Sequence, residues 1–515
     1  MNNAGNNDTV KYAIDLLCKW NSGRELIIDD ANRYSGARLN LEARSVAQGL
    51  IDLDIGKGDT VALMGTASCR FYTAYFAAQK LGAVSCNIHV RESAEYIART
   101  LQQIDAKVLI CSGPLLATAT AALECLGWNI PLISLDDEQG ADYNYSQLLS
   151  HFPPEEPAVE VSPADPAIII LSSGSTGTPK GIVHSNQNFV RWLQAAPTLF
   201  GAVSRTTRFL VNVGTSFAAW PFSSIPILYA GGSIILLEGF TPEKFCQAVE
   251  KEKITMAGPV PTMIRMLTPE ITQGYDLSSF EMVLCAGEPP TESDIQRVLS
   301  WADTDIRCLY LASESAPGAS TFWELQDSLL HKKPVCAGKP LPGADLRIID
   351  PDGDIDDELP AGAIGEIALR GPTIAQGYLK NPTLTAQRFV RGWWRSGDLG
   401  QLDEDGYLYV EGRTDNMINT GGIKVHGEEV ESFLLQHAAV SQVAVIGAAD
   451  PKWGQRIEAH VVCSAQVSAE ELSQFCRNHG LAAFKQPKHY VFHDQLPQGV
   501  TGKLDRVSLR ERDPA

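Results

Sequence analysis

A strand-like apolar run, Ala167-Ile168-Ile169-Ile170, opens into Leu171-Ser172-Ser173-Gly174-Ser175-Thr176-Gly177-Thr178-Pro179-Lys180. Serine, threonine and glycine followed by a lysine suit the binding of phosphate. Glycines let backbone N–H groups approach an anion, hydroxyls donate further hydrogen bonds, and the Lys180 ammonium adds fixed charge. The spacing is not that of a Walker A loop, because Gly181 follows Lys180 where Ser or Thr is required. A flexible polar loop between two strands would share this composition. Other residues must decide.

Four later segments carry groups of complementary kinds. Ala286-Gly287-Glu288 offers a small residue and a glycine against which a flat ring can lie. Tyr310-Leu311-Ala312-Ser313-Glu314 sets a ring, a hydroxyl and a carboxylate within one short stretch. Asp398, in Ser396-Gly397-Asp398, is a carboxylate able to accept hydrogen bonds from sugar hydroxyls. Lys503 ends Gly499-Val500-Thr501-Gly502-Lys503, where the glycines before it would let the ammonium be presented and withdrawn. Alone, each reads equally well as a turn, a packed Tyr, a solvated Glu or a surface Lys. In order, the five segments resemble the acyl-adenylate-forming superfamily: acyl- and aryl-CoA synthetases, peptide synthetase adenylation domains and beetle luciferases. The chain is most similar to an acyl- or aryl-CoA synthetase, and the resemblance runs from roughly residue 41 to 506.

The resemblance implies a division of labour. Ser172, Ser173, Gly174, Ser175, Thr176, Gly177 and Lys180 would cradle the phosphates of ATP. Ala286, Gly287 and Glu288 would take the base, with Tyr310 stacked on adenine. Ser313 would meet the α-phosphate and Glu314 would coordinate Mg²⁺. One carboxylate is chemically adequate, since Mg²⁺ keeps water and phosphate oxygens as its other ligands. Asp398 would hold the ribose, Arg413 would assist at ribose or phosphate, and Asp415 matches the hinge position. Lys503 would neutralise charge as a carboxylate attacks the α-phosphorus. Gly421 and Gly422 would line a tunnel for the acceptor thiol, and Lys424 could contact phosphate. The implied reaction makes an acyl-adenylate and pyrophosphate, then a thioester of CoA and AMP. A carrier-protein phosphopantetheine is the alternative acceptor. A P-loop-type ATPase and a non-catalytic nucleotide-binding module are the competing classes; the failed Walker spacing opposes the first, and Glu314 with Lys503 the second.

Thr215-Ser216-Phe217-Ala218-Ala219-Trp220 matches the family's acid-pocket segment. Enzymes for α-amino acids resemble one another in an Asp where Ser216 falls, because an ammonium needs a carboxylate partner. Ser216 supplies no charge. Leu309 and Leu311 stand at positions often glycine in large-acid ligases, and Asn186 where relatives often carry His. With Ser216 and Phe217, the two isobutyl groups point to a compact aryl or short acyl acid.

These residues need elements to hold them. Apolar periodicity predicts helices over 41–53, 71–81, 94–104 and 242–251, and strands over 60–64, 83–88, 107–111, 209–213, 233–237, 255–258 and 281–286. Such alternation is an α/β signature. Short strands between Gly and Pro turns over 346–349, 363–369 and 407–410 predict a small β-subdomain. The expected architecture is a large N-terminal domain over 1–414, made of two α/β subdomains plus that β-subdomain. A small mobile α+β domain over 415–515 would carry the Lys503 loop. The first ten residues read as a loose tail, and the Pro- and acid-rich stretch 153–166 as a connector.

At 515 residues more than one core is expected. A formal charge of −19 opposes nucleic-acid or anionic-membrane binding. Eleven cysteines without a CxxC pair offer neither a disulfide framework nor a zinc cluster. The polar N-terminus lacks signal-peptide character, and no apolar run approaches the ~20 residues of a membrane span. A cytoplasmic enzyme with reduced thiols is the expectation. Oligomeric state is left open.

Overall fold

The structure is a computed structural model that describes residues 7–172, 179–201, 203–287, 290–316, 321–325, 336–421, 423–498 and 504–511. Two compact units form, one from Met1–Leu346 with Leu369–Trp394 and one from Arg347–Ala368 with Arg395–Ala515. The boundary placed at 414/415 falls inside the second unit.

Two largely parallel sheets build the first unit, as the alternation predicts. One runs in the order Gly377–Tyr378, Lys180–Ser185, Pro166–Ser172, Val84–Asn87, Thr60–Met64, Ala106–Cys111, Leu132–Ser134, Tyr143–Asn144. The other centres on Arg208–Val211, flanked by Ser233–Leu236 and Met256–Ala257, and continues through Met282–Ala286 and Asp305–Tyr310. The α/β class holds. The expected strand 60–64 and helix 94–104 match the observed bounds, and the others shift by a few residues at their ends. The helix expected at 41–53 begins earlier, at Gly36, because Ser35 caps it by accepting from the Arg38 N–H.

Every residue of the helix Cys69–Lys80 except Arg70 is buried. Its Phe71, Tyr72 and Tyr75 surround Trp220, with ring centroids 5.4, 4.8 and 5.3 Å away. Trp220 opens the helix Ala219–Tyr229, so this aromatic cluster anchors the segment that follows Ser216 and Phe217. Lys80 is fully buried and forms ion pairs with Asp15 and Glu156. Glu156 also pairs with Lys11 and Arg44, so the acidic connector is tied into the fold.

The loose tail ends sooner than expected. A helix spans Val10–Trp20, capped by Thr9; Asp8 pairs with Arg191, and the Val10 N–H donates to Asn186 Oδ1 at 2.9 Å. Asn186 Nδ2 in turn donates to the Asp165 carbonyl at 3.1 Å. The residue standing where relatives often carry His is therefore a buried strut for the N-terminal helix.

In the second unit residues 398–402 pair antiparallel with Leu408–Arg413. Beyond them the long hairpin Val440–Asp450 and Gly454–Cys463 carries His489–Phe492 in parallel and Met417–Thr420 antiparallel. The helices Gly427–Leu434 and Ala469–Asn478 cover a core of Ile418, Val425, Val430, Val445, Val461 and Leu472. This mixed sheet with helices is the α+β arrangement expected. All eleven cysteines are free thiols. Among the described residues, no helix is long and apolar enough to cross a membrane.

Candidate active site

In the first unit, Pro166–Ser172 and Lys180–Ser185 are antiparallel, and Ser172 lies opposite Lys180. Ser172 and Lys180 are thus the facing ends of the two strands that the glycine- and serine-rich segment connects. Ser173, Gly174, Ser175, Thr176 and Gly177 lie outside the described residues. So does Glu288.

The next two groups sit at the ends of adjacent parallel strands. Met282–Ala286 pairs with Asp305–Tyr310 so that Ala286 is opposite Leu309. Gly287 follows with φ +94°, and a Cβ there would meet nothing within 4 Å. A left-handed backbone beside open space is where a flat ring can lie against the chain without side-chain interference. Tyr310 ends its strand half-buried, one register step from Leu309.

Ser313 and Glu314 occupy the turn after Tyr310, and four contacts fix that turn. His184 Nε2 lies 2.8 Å from the Ser313 carbonyl oxygen. The Ala375 N–H donates to the Glu314 carbonyl at 2.8 Å, and Thr373 Oγ1 donates to the Ser315 carbonyl at 2.8 Å. The Tyr378 hydroxyl donates to Glu314 Oε1 at 2.9 Å. His184 is completely buried, and burial holds its pKa down at about 4 against the opposing pull of the Ser313 carbonyl. It is therefore a neutral imidazole whose Nε2–H is the donor, and its buried Nδ1 has no hydrogen-bond partner among the described residues. Burial, followed by the Glu314 carboxylate, pushes the Tyr378 phenol well above its ordinary pKa, so it too stays a donor.

The donor set suits Mg²⁺. Glu314 offers hard carboxylate oxygens, and among the described residues no group of three or more His, Cys, Asp or Glu could hold a metal by itself. An ion here would take its remaining ligands from phosphate and water, as Mg²⁺ does.

Ser216 and Phe217 line a cavity of about 10 Å³ with Asn87, Thr215 and Pro221. Asn87 Nδ2 donates to the Thr215 carbonyl at 2.7 Å, and Thr215 Oγ1 donates to the Gly65 carbonyl at 2.5 Å. Phe217 is exposed and stands edge-on to His89, centroids 5.5 Å apart. Leu309 is buried in the main core, and Leu311 is half-buried at its edge. The structure does not bring the two leucines to the cavity that Ser216 and Phe217 line.

In the second unit, Asp398 and Arg413 face each other across the strand pair, and Arg413 Nη1 donates to Asp398 Oδ1 at 2.7 Å. Asp415 lies in the short turn Thr414–Asn416, its carboxylate 3.5 Å from Arg413 Nη2. The hairpin Met417–Thr420 with Ile423–His426 turns through Gly421, at φ +61°. A Cβ on Gly421 would lie 2.7 Å from Trp453 Cε3, so glycine is required both by backbone and by space. Lys424 pairs with Asn419 in that hairpin. Gly422 and Lys503 lie outside the described residues. The feet of the Lys503 loop are pinned: Gln498 bridges Leu504, and the Asp505 N–H donates to the Pro497 carbonyl at 2.9 Å.

Sequence reasoning assigned no role to His184, Thr373 or Tyr378. Only His184 lies near a motif, four residues beyond Lys180.

The chain matches the model of the AMP-binding enzyme family over residues 18–379 and that of the AMP-binding enzyme C-terminal domain over 429–503. It is 30% identical over 489 residues to the long-chain-fatty-acid–CoA ligase FadD13 of Mycobacterium tuberculosis, covering 93% of each chain. It is 31% identical over 480 residues to a feruloyl-CoA synthase of an Amycolatopsis species, covering 92% of this chain and 93% of the relative. Among solved structures, the anthranilate CoA ligase AuaEII in complex with anthranoyl-AMP is 25% identical, with a TM-score of 0.84 over 97% of this chain and 96% of that one.

Proposed function

The chain belongs to the AMP-binding enzyme family, and on that premise we propose that it is an ATP-dependent acid–CoA ligase for a compact aryl or short acyl acid. The observation that carries this reading is the 2.8 Å contact from His184 to Ser313. It joins the strand leaving the phosphate loop, in one sheet, to the turn bearing a hydroxyl and a carboxylate after a strand of the other, so groups suited to an anion and to a metal are held together.

In the first half-reaction a carboxylate oxygen attacks the α-phosphorus of ATP, the α–β bridging P–O bond breaks, and pyrophosphate leaves with the electron pair. Both reactants are anionic, so catalysis is chiefly positioning and charge neutralisation. Lys180 and the loop backbone hold the phosphates, Gly287 and Tyr310 hold the base, and Ser313 donates to the α-phosphate. Mg²⁺ bound beside Glu314 would offset phosphate charge. Asp398 accepts from the ribose hydroxyls with Arg413 orienting its carboxylate, and Lys503 is assigned to the charge on the α-phosphate. In the second half-reaction a thiol sulfur attacks the acyl carbon, the bond to the adenylate oxygen breaks, and AMP leaves. The Gly421-Gly422 turn and Lys424 are assigned to this step, and Asp415 to the change between them. The names of FadD13, the feruloyl-CoA synthase and AuaEII support CoA as the acceptor and an acyl or aryl acid as substrate.

The test is incubation with Mg-ATP, CoA and a panel of aryl and short acyl acids, with products identified by mass. Acid-dependent AMP together with an acyl-CoA, lost in Lys503→Ala, supports the reading. Acyl-AMP without thioester would direct the second step to a carrier-protein phosphopantetheine. ADP without an acid adduct would overturn the proposal.

A further inference from the structure

Glu314 has three rotatable side-chain bonds, so a metal-binding role asks what fixes its carboxylate. The Tyr378 hydroxyl, 2.9 Å from Oε1, does so. Tyr378 is itself immobilised. It is 9% exposed, its N–H donates to Thr385 Oγ1 at 2.9 Å, and its ring stands edge-on to Phe389 with centroids 5.5 Å apart. Its short strand Gly377–Tyr378 pairs with the phosphate-loop strand, placing Tyr378 opposite Ile182 and Gly377 opposite Val183. The Leu379 N–H donates to the Gly181 carbonyl at 2.7 Å, one residue beyond Lys180. Lys180 and Glu314 are therefore linked through two hydrogen bonds, Leu379 N–H to the Gly181 carbonyl and the Tyr378 hydroxyl to Glu314, joined by the peptide bonds Lys180–Gly181 and Tyr378–Leu379.

We propose that Tyr378 is a positioning residue for the metal step: its phenol holds one oxygen of Glu314 so that the carboxylate is oriented toward the Mg²⁺ that accompanies ATP. This rests on the reading of Glu314 given above. A carboxylate ordered before the ion arrives loses less side-chain freedom on binding, and affinity rises accordingly. The phenol donates to a charged acceptor, the stronger class of hydrogen bond. The same bond ties the metal ligand to the strand that presents Lys180, so the ion and the phosphate cradle keep a common frame.

Calorimetric titration of ATP into the full-length protein, once in excess Mg²⁺ and once in EDTA, tests this without turnover. The ratio of the two affinities is the gain due to the metal. In Tyr378→Phe, which removes one oxygen atom, that gain should shrink about tenfold while affinity in EDTA stays near the native value. Glu314→Gln should abolish the gain. If Tyr378→Phe keeps the full gain, or weakens ATP equally in both titrations, the hydroxyl supports structure alone and the proposal falls. If Glu314→Gln keeps the gain, Glu314 is not the ligand and the proposal falls with it. Acid-dependent AMP formation is read separately, so failure of the ligase reading remains distinguishable from failure of this one.

Discussion

His184 Nε2 stands 2.8 Å from the carbonyl oxygen of Ser313, across 129 residues of chain. A neutral ring on the strand leaving the phosphate loop thereby holds the turn that carries Ser313 and Glu314. The edge of the ring also meets Phe222, centroids 5.5 Å apart. Part of the site's geometry therefore rests on a buried histidine that is uncharged in the folded protein.

That dependence sets a pH response. The folded pKa of His184 is about 4, below the ordinary value of 6.5. Above pH 6.5 the group is neutral folded or unfolded, and its contribution to stability is fully present. As pH falls from 6.5 toward 4, the unfolded chain takes up a proton that the folded one refuses, and stability is lost. The loss amounts to about 2 kcal/mol by pH 5. His184→Gln keeps an N–H donor and cannot titrate. The decline in melting temperature from pH 7.5 to 5 should therefore be shallower in the variant; equal slopes would rule out this role for the imidazole.

Gly287 supplies a second check. Its φ of +94° is strained for any side chain, yet a Cβ would meet nothing within 4 Å. Gly287→Ala should cost about 1–2 kcal/mol of stability from backbone strain alone. The added methyl should also raise the KM for ATP several-fold while leaving the KM for the acid unchanged, because it would stand where the base lies. Steady-state kinetics with each substrate varied in turn separates the two; equal changes in both constants would move the base elsewhere.

Periodicity made the fold's elements legible where one side of a helix or a whole strand is apolar, as in Ala94–Ile104 and Thr60–Met64. The helix Ala219–Tyr229 was hidden, because it is buried along most of its length and contains Pro221 and Pro226, which read as breaks. The partition of strands into two sheets was equally hidden, since neighbours in a parallel sheet are joined by crossovers rather than by turns. In the site, Ser172, Lys180, Ser313 and Glu314 could be read from short motifs. His184 and Tyr378 reach their partners across 129 and 64 residues, and no local pattern encodes such a contact.

Leu311 bears on the acid. It follows Tyr310 and is half-buried at the edge of the main core. Leu311→Gly removes an isobutyl group from the strand end beside the site, and should raise kcat/KM for bulkier acids about tenfold relative to compact ones. The price in stability is about 1–3 kcal/mol, because part of the side chain is packed. Paired acids in competition, with both thioesters quantified by mass, give the ratio directly. A ratio unchanged from wild type would show that selectivity is set elsewhere, with the cavity beside Ser216 and Phe217 the next place to alter.

Asp398 and Arg413 form the last test, because their pairing makes a ribose role separable from a structural one. Arg413 Nη1 donates to Asp398 Oδ1 at 2.7 Å, and the carboxylate is only 14% exposed while the guanidinium is 46% exposed. The arginine therefore steadies the carboxylate from the solvent side. Asp398→Asn keeps the shape but removes the charge that makes hydrogen bonds to sugar hydroxyls strong, a change worth about 1.5 kcal/mol or more. The KM for ATP should rise at least about tenfold. The decisive reading is the preference for ATP over 2′-deoxy-ATP, because a structural role would weaken both nucleotides alike. If Asp398 accepts from the ribose, the preference collapses in Asp398→Asn; if the preference survives intact, the carboxylate serves only to hold Arg413.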